Sequence, residues 1–292
     1  MRRLILIAML GSIAQLVDGT LGMAYGVTAT TALLITGITP AVASASVHLA
    51  EVGTTLASGV SHWRFGNVDW RVVGLIGVPG GVGAFAGATF LSGLSTESAS
   101  LWVAALLALL GVYLLVRFAT GKVRAVIEGR VGGRFLGPLG LVAGFIDATG
   151  GGGWGPVATS SLLSSGKLAP RKTVGSVSAA EFIVSVAASI GFLIGLGREN
   201  IPYGIVAALL IGGVLAAPLA AWLVSRLATR WLGVGVAAVL ILTNGRTVMN
   251  GLGVPDGTRF LVYGAVLIAW AAVVAYGFSV RPTPVPAHDA EE

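Results

Sequence analysis

The sequence predicts an all-α, polytopic helical membrane protein built of two homologous, inverted repeats with Gly-broken helices or re-entrant hairpins. Of its 292 residues, 55% are hydrophobic and only 10% are charged. Soluble globular domains carry about 25% charged residues, so this chain has too few charges to cover a water-exposed surface. Apolar runs near the ~20 residues that cross a bilayer recur along the whole length, and a repeat of rare residues divides them into two halves.

Charge and residue types exclude several function classes. The net charge is +6, but the Lys and Arg residues lie between apolar runs, where they orient a membrane protein and do not indicate nucleic-acid binding. Cysteine is absent, the three histidines are far apart, and no nucleotide-binding or hydrolase motif occurs. We therefore expect a protein that is not an enzyme and has no metal site, no cofactor and no nucleic-acid partner.

Two segments, LVDGTLGMAYG at 16–26 and FIDATGGGGWG at 145–155, match when the sequence is shifted by 129 positions. If one residue is inserted after these segments, rare residues of the two halves coincide: Asp18 with Asp147, Pro40 with Pro170, and Glu51 with Glu181. Coincidence of such rare residues in one register indicates a duplication. The N-terminal segment MRRLILIAMLGSIAQL resembles a signal peptide, but it has a counterpart around Gly140 to Ile146, so we expect a first helix there instead.

Each half contains five predicted segments in the same order. They lie at 4–17, 23–38, 40–63, 72–91 and 101–118 in the first half, and at 136–146, 157–163, 170–194, 205–224 and 231–243 in the second. A last apolar run at 260–278 has no counterpart. Pro40 and Pro170 each stand at a predicted helix start, where proline is tolerated.

These segments define four regions of the chain. We predict a first transmembrane repeat at 1–118, a basic cytoplasmic connector at 119–134, a second transmembrane repeat with one extra C-terminal helix at 135–280, and a disordered tail at 281–292. The tail is polar and rich in proline, a composition that cannot bury enough apolar surface to fold.

The short segments that flank each glycine break leave two orientations open. Segments of ~14–16 residues barely reach across a ~30 Å bilayer, so they form short tilted spans or hairpins, or each pair is one interrupted span. Tilted spans or hairpins put the N-terminus outside the cell, and 13 of the 18 Lys and Arg residues then lie in the cytoplasm. Interrupted spans put the N-terminus inside the cell, and 12 of these residues then lie in the cytoplasm. We prefer the first arrangement because inverted repeats with broken helices recur in transporters.

The glycine breaks indicate an anion site. Irregular backbone within a membrane lines a wet cavity or is buried in protein, and a helix that starts there offers unpaired N–H groups and a partial positive charge. We predict substrate contacts from the residues that follow each break: Gly22, Tyr25, Gly26, Gly151, Gly152, Gly153, Trp154 and Gly155. Further donors are the hydroxyls of Thr20, Thr28 and Thr149, the indole of Trp154 and the phenol of Tyr25. Two alternatives stay open: the glycines allow close helix packing, and Asp18 and Asp147 cap the helices that follow.

Ionisable and hydroxyl residues form a second group of candidates, for coupling or gating. Ionisable side chains within a span are costly and mark functional sites by default. Ser44, His48 and Glu51 share one face of the helix that starts at Pro40, and the matching helix carries Ser178 and Glu181 on one face. The residues that we predict to gate the pathway or carry protons are Asp18, Asp147, His48, Glu51, Ser178 and Glu181. A protonated Glu that only joins two helices is the alternative.

The two halves also resemble a known family. The patterns GxxxxxxDGxxGxxYG, SxSVHxAE, GGGGWGPV and SVSxAEF are similar to those of the TauE/SafE-type sulfite exporters, also called the toluenesulfonate uptake permease family, and the resemblance extends over about residues 5–275. It implies a secondary carrier of sulfite, organosulfonates or related small anions in the plasma (inner) membrane. The expected partners are a small anion and the lipid bilayer, with a homo-oligomer left open. The alternatives are an anion channel and a membrane-embedded accessory or assembly factor.

Overall fold

The computed structural model describes residues 2–21, 23–120, 129–224 and 229–279. These residues form helices joined by turns, without a β-strand in the ranges described. The α-helices are α1 (Arg2–Leu21), α2 (Tyr25–Ile35), α3 (Pro40–Arg64), α4 (Trp70–Ser92), α5 (Thr96–Thr120), α6 (Gly133–Gly150), α7 (Ser160–Ser165), α8 (Pro170–Gly195), α9 (Tyr203–Val224), α10 (Thr229–Gly251) and α11 (Asp256–Ser279). Five of them (α4, α5, α8, α10 and α11) contain stretches long and apolar enough to cross a membrane. The predicted all-α, multi-pass membrane fold is confirmed.

Helix boundaries follow the sequence signals closely, although some helices extend further, as α1 does to Leu21 and α6 to Gly150. α3 and α8 begin at Pro40 and Pro170, as predicted. α10 continues past the predicted end at 243 to Gly251. The polar residue Asn244 does not end this helix, because its side-chain amide donates to Leu240 O at 3.0 Å and to Thr31 Oγ1 at 3.2 Å.

Helices of one half pack in parallel against helices of the other half. α4 lies along α6, where Gly80 contacts Gly144, and α1 lies along α9, where Ser12 Oγ donates to Gly212 O at 3.0 Å. A β-carbon added to Gly11 would lie 2.8 Å from Leu209 O, so only glycine allows this approach. The glycine-rich stretch at 78–87 therefore packs helices together.

The two helices that begin at the matching prolines, α3 and α8, run antiparallel against each other. The rings of His48 and Phe192 have centroids 5.9 Å apart, and nearer the other end of the pair Ser58 Oγ lies 2.8 Å from Ser178 Oγ. α5 and α10 are antiparallel as well, with Gly111 against Leu240. An inverted repeat requires antiparallel contacts between matching helices, so these contacts support that prediction.

One end of the bundle gathers basic segments, and we call it the basic end (residues 64–71, 129–134 and 167–172). Arg71 Nη1 donates to Val131 O at 3.0 Å, and Gly129 N donates to Lys167 O at 3.2 Å. α6 therefore starts at the basic end, and the chain returns there after α7. The segment around the second break is a helical hairpin.

The segment around the first break is a hairpin from the opposite end of the bundle. Ile7 in α1, Leu33 in α2 and Ile38 before α3 share one buried apolar cluster with Ile205 at the start of α9. α1 thus begins, and α2 ends, at the end remote from the basic segments. This geometry is the one expected if the N-terminus lies outside and the basic end lies in the cytoplasm.

The unmatched helix α11 lies at the edge of the bundle. It packs on α10, where Trp270 Nε1 donates to Val234 O at 3.2 Å, and it also touches α5. Half of the predicted connector (121–128) and the whole predicted tail (281–292) lie outside the described residues. The predicted division of the chain into four regions therefore stays a prediction.

Candidate substrate cavity

At the first break, an acidic side chain caps the helix that follows. Asp18 Oδ1 accepts hydrogen bonds from the backbone N–H groups of Ala24 and Tyr25, at 2.8 and 3.1 Å. Both groups lie at the start of α2, where the helix cannot satisfy its own donors. A carboxylate at this position also interacts favourably with the helix dipole.

The second break repeats this arrangement. Asp147 Oδ1 accepts hydrogen bonds from Gly153 N and Trp154 N, again six and seven residues further along, at 2.7 and 2.9 Å. Gly151 ends α6 with a φ of 69°, and Gly152 follows with a φ of 148°. Both values lie in the region that favours glycine. The capping alternative is confirmed at both breaks, and two backbone donors at each are already occupied.

The two breaks touch each other. A β-carbon on Gly26 would lie 2.6 Å from Gly152 Cα, and one on Gly152 would overlap Gly26 and the nitrogen of Val27. Thr30 Oγ1 in α2 donates to Gly151 O across the same contact. The glycines therefore serve close packing, as the alternative held. This packing brings the start of α2 beside a π-helical turn, Gly155–Thr159, that leads directly into α7.

A cavity of about 570 Å³ lies beside this contact. Ten of the predicted substrate or gating residues line it: Tyr25, Gly26, Gly152, Gly153, Gly155, Asp18, Glu51, Asp147, Ser178 and Glu181. The matching residues of the two halves thus meet in one cavity, although they are about 130 positions apart in the chain.

Acidic groups dominate the charge of this cavity. Four carboxyl side chains line it, those of Asp18, Glu51, Asp147 and Glu181, and none of its lining residues is Lys or Arg. Glu51 is 3% exposed, and its Oε2 has no hydrogen-bond partner among the described residues. A buried carboxylate without a partner is costly. An anion that enters this cavity therefore meets carboxyl groups and no basic Lys or Arg side chain among the described lining residues.

His48 and Asp147 form a buried pair next to the cavity. His48 Nε2 lies 3.1 Å from Asp147 Oδ2, and His48 Nδ1 lies 2.9 Å from Ser44 O. Ser44 Oγ donates to Ala148 O at 2.7 Å, so α3 is tied to the end of α6 just before the break. In the duplicated pattern His48 corresponds to Ser178 and Asp147 to Asp18, so the counterpart of this pair contains no histidine.

Several predicted residues lie elsewhere. Trp154 is fully buried outside the lining of the cavity, and its indole N–H donates to Val177 O at 3.0 Å. Gly151 and His48 lie directly behind lining residues, and Gly22 falls outside the described residues. Among the predicted hydroxyl donors, Thr149 Oγ1 donates to Phe145 O at 2.7 Å, which occupies its proton. The indole and this hydroxyl are therefore not free to bind an anion in this conformation.

The cavity also contains residues that the sequence patterns did not single out. Hydroxyl and imidazole groups of α3 extend from Glu51 towards the basic end: Thr54, Thr55, Ser58, Ser61 and His62. They lie on the face of α3 that carries Glu51, at helical spacing, which is a signal that the sequence contains. α9 contributes Gly213, Val214 and Ala217, which no pattern indicated.

Comparisons with known proteins agree with this architecture. The family model described as "Sulfite exporter TauE/SafE" matches residues 7–247. A relative described as "Probable membrane transporter protein YtnM" from Bacillus subtilis (strain 168) is 49% identical over 281 residues, which are 96% of this chain and 94% of that protein. No solved structure matches the chain.

Proposed function

Because the chain belongs to the TauE/SafE sulfite exporter family, we propose that this membrane transporter carries small sulfur oxyanions, such as sulfite or organosulfonates, through the cavity between its two helix breaks. The observation that carries the proposal is the contact between the two breaks, where Gly26 touches Gly152. Each break leads into a helix start capped by an aspartate, and both glycines line the cavity. Helix starts are anion sites because their first N–H groups have no partner within the helix.

The first helix start retains donors for an anion. Asp18 occupies the N–H groups of Ala24 and Tyr25. The next two, of Gly26 and Val27, also precede the first internal bond of α2, which Thr28 N donates to Ala24 O, and Gly152 packs against the Val27 nitrogen. Gly26 and Val27 line the cavity. Hydroxyls elsewhere in the cavity lining, such as that of Ser58, can supplement them, so an oxyanion has donors without a Lys or Arg side chain.

Proton coupling follows from the acidic lining. An anion is repelled by ionised carboxylates, so it binds more tightly when Glu51 and Glu181 are protonated. By linkage, anion binding then favours proton uptake by these groups. We therefore propose that the anion and at least one proton cross together, with Glu51 and Glu181 as proton carriers.

A carrier fits the shape of the cavity better than a channel does. The cavity residues of α3 lie from Glu51 to His62, towards the basic end, and none precedes Glu51. Towards the opposite end, His48 and Phe192 pack against each other behind the cavity. A pathway that is blocked on one side supports transport by a change of conformation.

Flux into proteoliposomes tests the proposal. Purified protein is reconstituted, and uptake of isotopically labelled sulfite and of an organosulfonate is measured with and without an inward proton gradient, beside sulfate, phosphate and chloride. We expect saturable uptake of the sulfur oxyanions that a proton gradient accelerates. Uptake equal to that of protein-free vesicles for every anion and pH would refute it.

Gly152→Leu is the companion variant, because its side chain would overlap α2 and separate the two breaks. Its matched control is Gly74→Leu in α4, where no atom lies within 4 Å of an added β-carbon. We expect Gly152→Leu to abolish uptake and Gly74→Leu to retain it. Equal uptake by both variants would place the substrate away from the contact between the breaks.

A further inference from the structure

The cavity occupies only one half of the pathway between α3 and α8. On α8 its lining residues run from Val174 to Glu181, and none lies beyond Glu181 towards the C-terminal end of the helix. On α3 the lining likewise stops at Glu51. Glu51 and Glu181 therefore mark the floor of a cavity that faces the basic end.

The polar face of α8 continues past this floor. Ser185 and Ser189 follow Glu181 at intervals of four residues, on the face that also carries Phe192, the neighbour of His48. On α3 the corresponding continuation consists of His48 and Ser44. The strip between the floor and the opposite end is thus lined by hydroxyl and imidazole groups, although it lies within a packed bundle.

Two of these hydroxyls lack partners. Ser185 is fully buried and Ser189 is 5% exposed, and the Oγ atom of each has no hydrogen-bond partner among the described residues. Buried hydroxyls are normally satisfied, in a helix often by the carbonyl four residues earlier, as Thr55 Oγ1 is by Glu51 O at 2.6 Å. The two unsatisfied hydroxyls therefore offer donor and acceptor sites to a polar partner within the packed bundle.

The duplication relates this strip to the open cavity. With the shift of 130 that superposes Glu51 on Glu181, Thr55 of the cavity corresponds to Ser185. The antiparallel packing of α3 on α8 directs the two corresponding faces to opposite ends of the bundle. If the two halves exchanged conformations, the cavity between Glu51 and the basic end would close. A corresponding cavity would open between Glu181 and the opposite end of the bundle.

We infer that Ser185, Ser189 and His48 line a second vestibule for the hydrated anion, which is closed by Phe192 in this structure and opens at the end opposite the basic segments. This inference rests on the proposed function, since it supplies the exit of the same pathway. It identifies which side chains the anion meets after it passes Glu51 and Glu181.

Single cysteines test the second vestibule, because the chain contains no cysteine. Three variants are reconstituted separately: Ser189→Cys in the predicted vestibule, Ser61→Cys in the open cavity, and Val78→Cys on an outward, 59% exposed position of α4. A membrane-impermeant thiol reagent, which reacts with thiols in contact with water, is added to one side at a time. Sulfite uptake is measured in the same vesicles.

We expect Ser61→Cys to react from one side without substrate, and Val78→Cys to react from neither side. Ser189→Cys should react only from the side opposite to the one that modifies Ser61→Cys, and at least several-fold faster when a sulfite gradient drives turnover. Phe192→Ala combined with Ser189→Cys should react from that side without substrate. Ser185→Cys provides a second reporter if Ser189→Cys fails to fold.

The outcomes separate the two proposals. In the first outcome, a variant takes up sulfite but its vestibule cysteine never reacts from the opposite side. This result overturns the second vestibule and leaves the proposed function intact. In the second outcome, that cysteine reacts from the opposite side but the protein transports no sulfur oxyanion. This result supports the vestibule and overturns the substrate assignment. Absence of both uptake and reaction in folded protein overturns both.

Discussion

The imidazole of His48 contacts the carboxyl group of Asp147 across the two halves of the chain. The Nε2 atom of His48 lies 3.1 Å from Asp147 Oδ2, while its Nδ1 atom lies 2.9 Å from the carbonyl oxygen of Ser44. A carbonyl only accepts, so Nδ1 carries a hydrogen. The contact with Asp147 then requires a second proton, on the imidazole or on the carboxyl group, and the pair is neutral as a whole.

This proton connects charge to the shape of the second break. The other oxygen of Asp147 accepts the N–H groups of Gly153 and Trp154. If the shared proton leaves, two lone pairs face each other and a buried negative charge remains beside Glu51. The pair is therefore placed to link proton release with movement of the break.

His48→Gln tests that link. Glutamine can donate to Asp147 but cannot bind or release a proton near neutral pH. We expect sulfite uptake to lose most of its response to an imposed proton gradient while exchange of labelled for unlabelled sulfite continues. An unaltered response to the gradient would assign coupling to other groups.

His48→Ala should destabilise the protein more than His48→Gln does. It leaves the Asp147 carboxyl group buried without its partner, which costs about 3 kcal/mol for a broken buried pair. The measurement is thermal unfolding of the purified protein in detergent, with His62→Ala, a half-buried residue of the cavity, as the comparison. Equal melting temperatures for His48→Ala and the parent protein would contradict the importance of the pair.

Asparagine in place of each capping aspartate separates capping from charge. Asn caps helix starts about as well as Asp, whereas loss of a cap to Ala costs about 1–2 kcal/mol. We expect Asp18→Asn to retain near-parental stability and Asp18→Ala to unfold at a lower temperature. Asp147→Asn should be less stable than Asp18→Asn because Asp147 also binds His48. Equal stability of these two variants would show that the contact with His48 adds nothing to the stability of the second break.

Glutamine at the floor of the cavity tests proton transfer. Glu51→Gln and Glu181→Gln keep the size of each side chain and remove its exchangeable proton. We expect each variant to lose uptake driven by a proton gradient but to keep anion exchange, since the repulsion of the anion is gone. Gradient-driven uptake at the parental rate in both variants would show that neither carboxyl group carries the proton.

Gly26→Ala measures how closely the two breaks must approach. The added methyl group would lie 2.6 Å from Gly152 Cα and 3.1 Å from Glu51 Oε1. Overpacking of this kind costs about 1–3 kcal/mol. We expect slower uptake and a lower melting temperature, whereas Gly264→Ala in α11, which has open space around it, should match the parent in both.

The class of the protein and most helix starts could be predicted from the sequence, because they depend on local chemistry. Low charge and long apolar runs require a lipid environment whatever the tertiary contacts are. Proline at the start of α3 and α8, and aspartate before each break, act within a few residues of their own position. The capping role of Asp18 and Asp147 was therefore among the predicted alternatives.

Predictions that required a partner from another helix were less complete. Trp154 was expected to offer its indole N–H to an anion, but Val177 O from α8 accepts that hydrogen. The lining residues of α9, such as Gly213, carry no chemical signal because their role depends only on where that helix packs. Ser58 shares a face with Glu51, yet the sequence does not show that this face borders a cavity.

The sequence by itself determined a helical membrane protein with two matching glycine breaks, each preceded by an aspartate, and with acidic residues on two matching helices. Only the tertiary structure decided that the breaks touch, that α3 and α8 are antiparallel, and that His48 reaches Asp147 rather than a residue of its own half. The reason is physical: propensity and hydropathy act over a few residues. Contacts between residues about 100 positions apart depend instead on how whole helices pack.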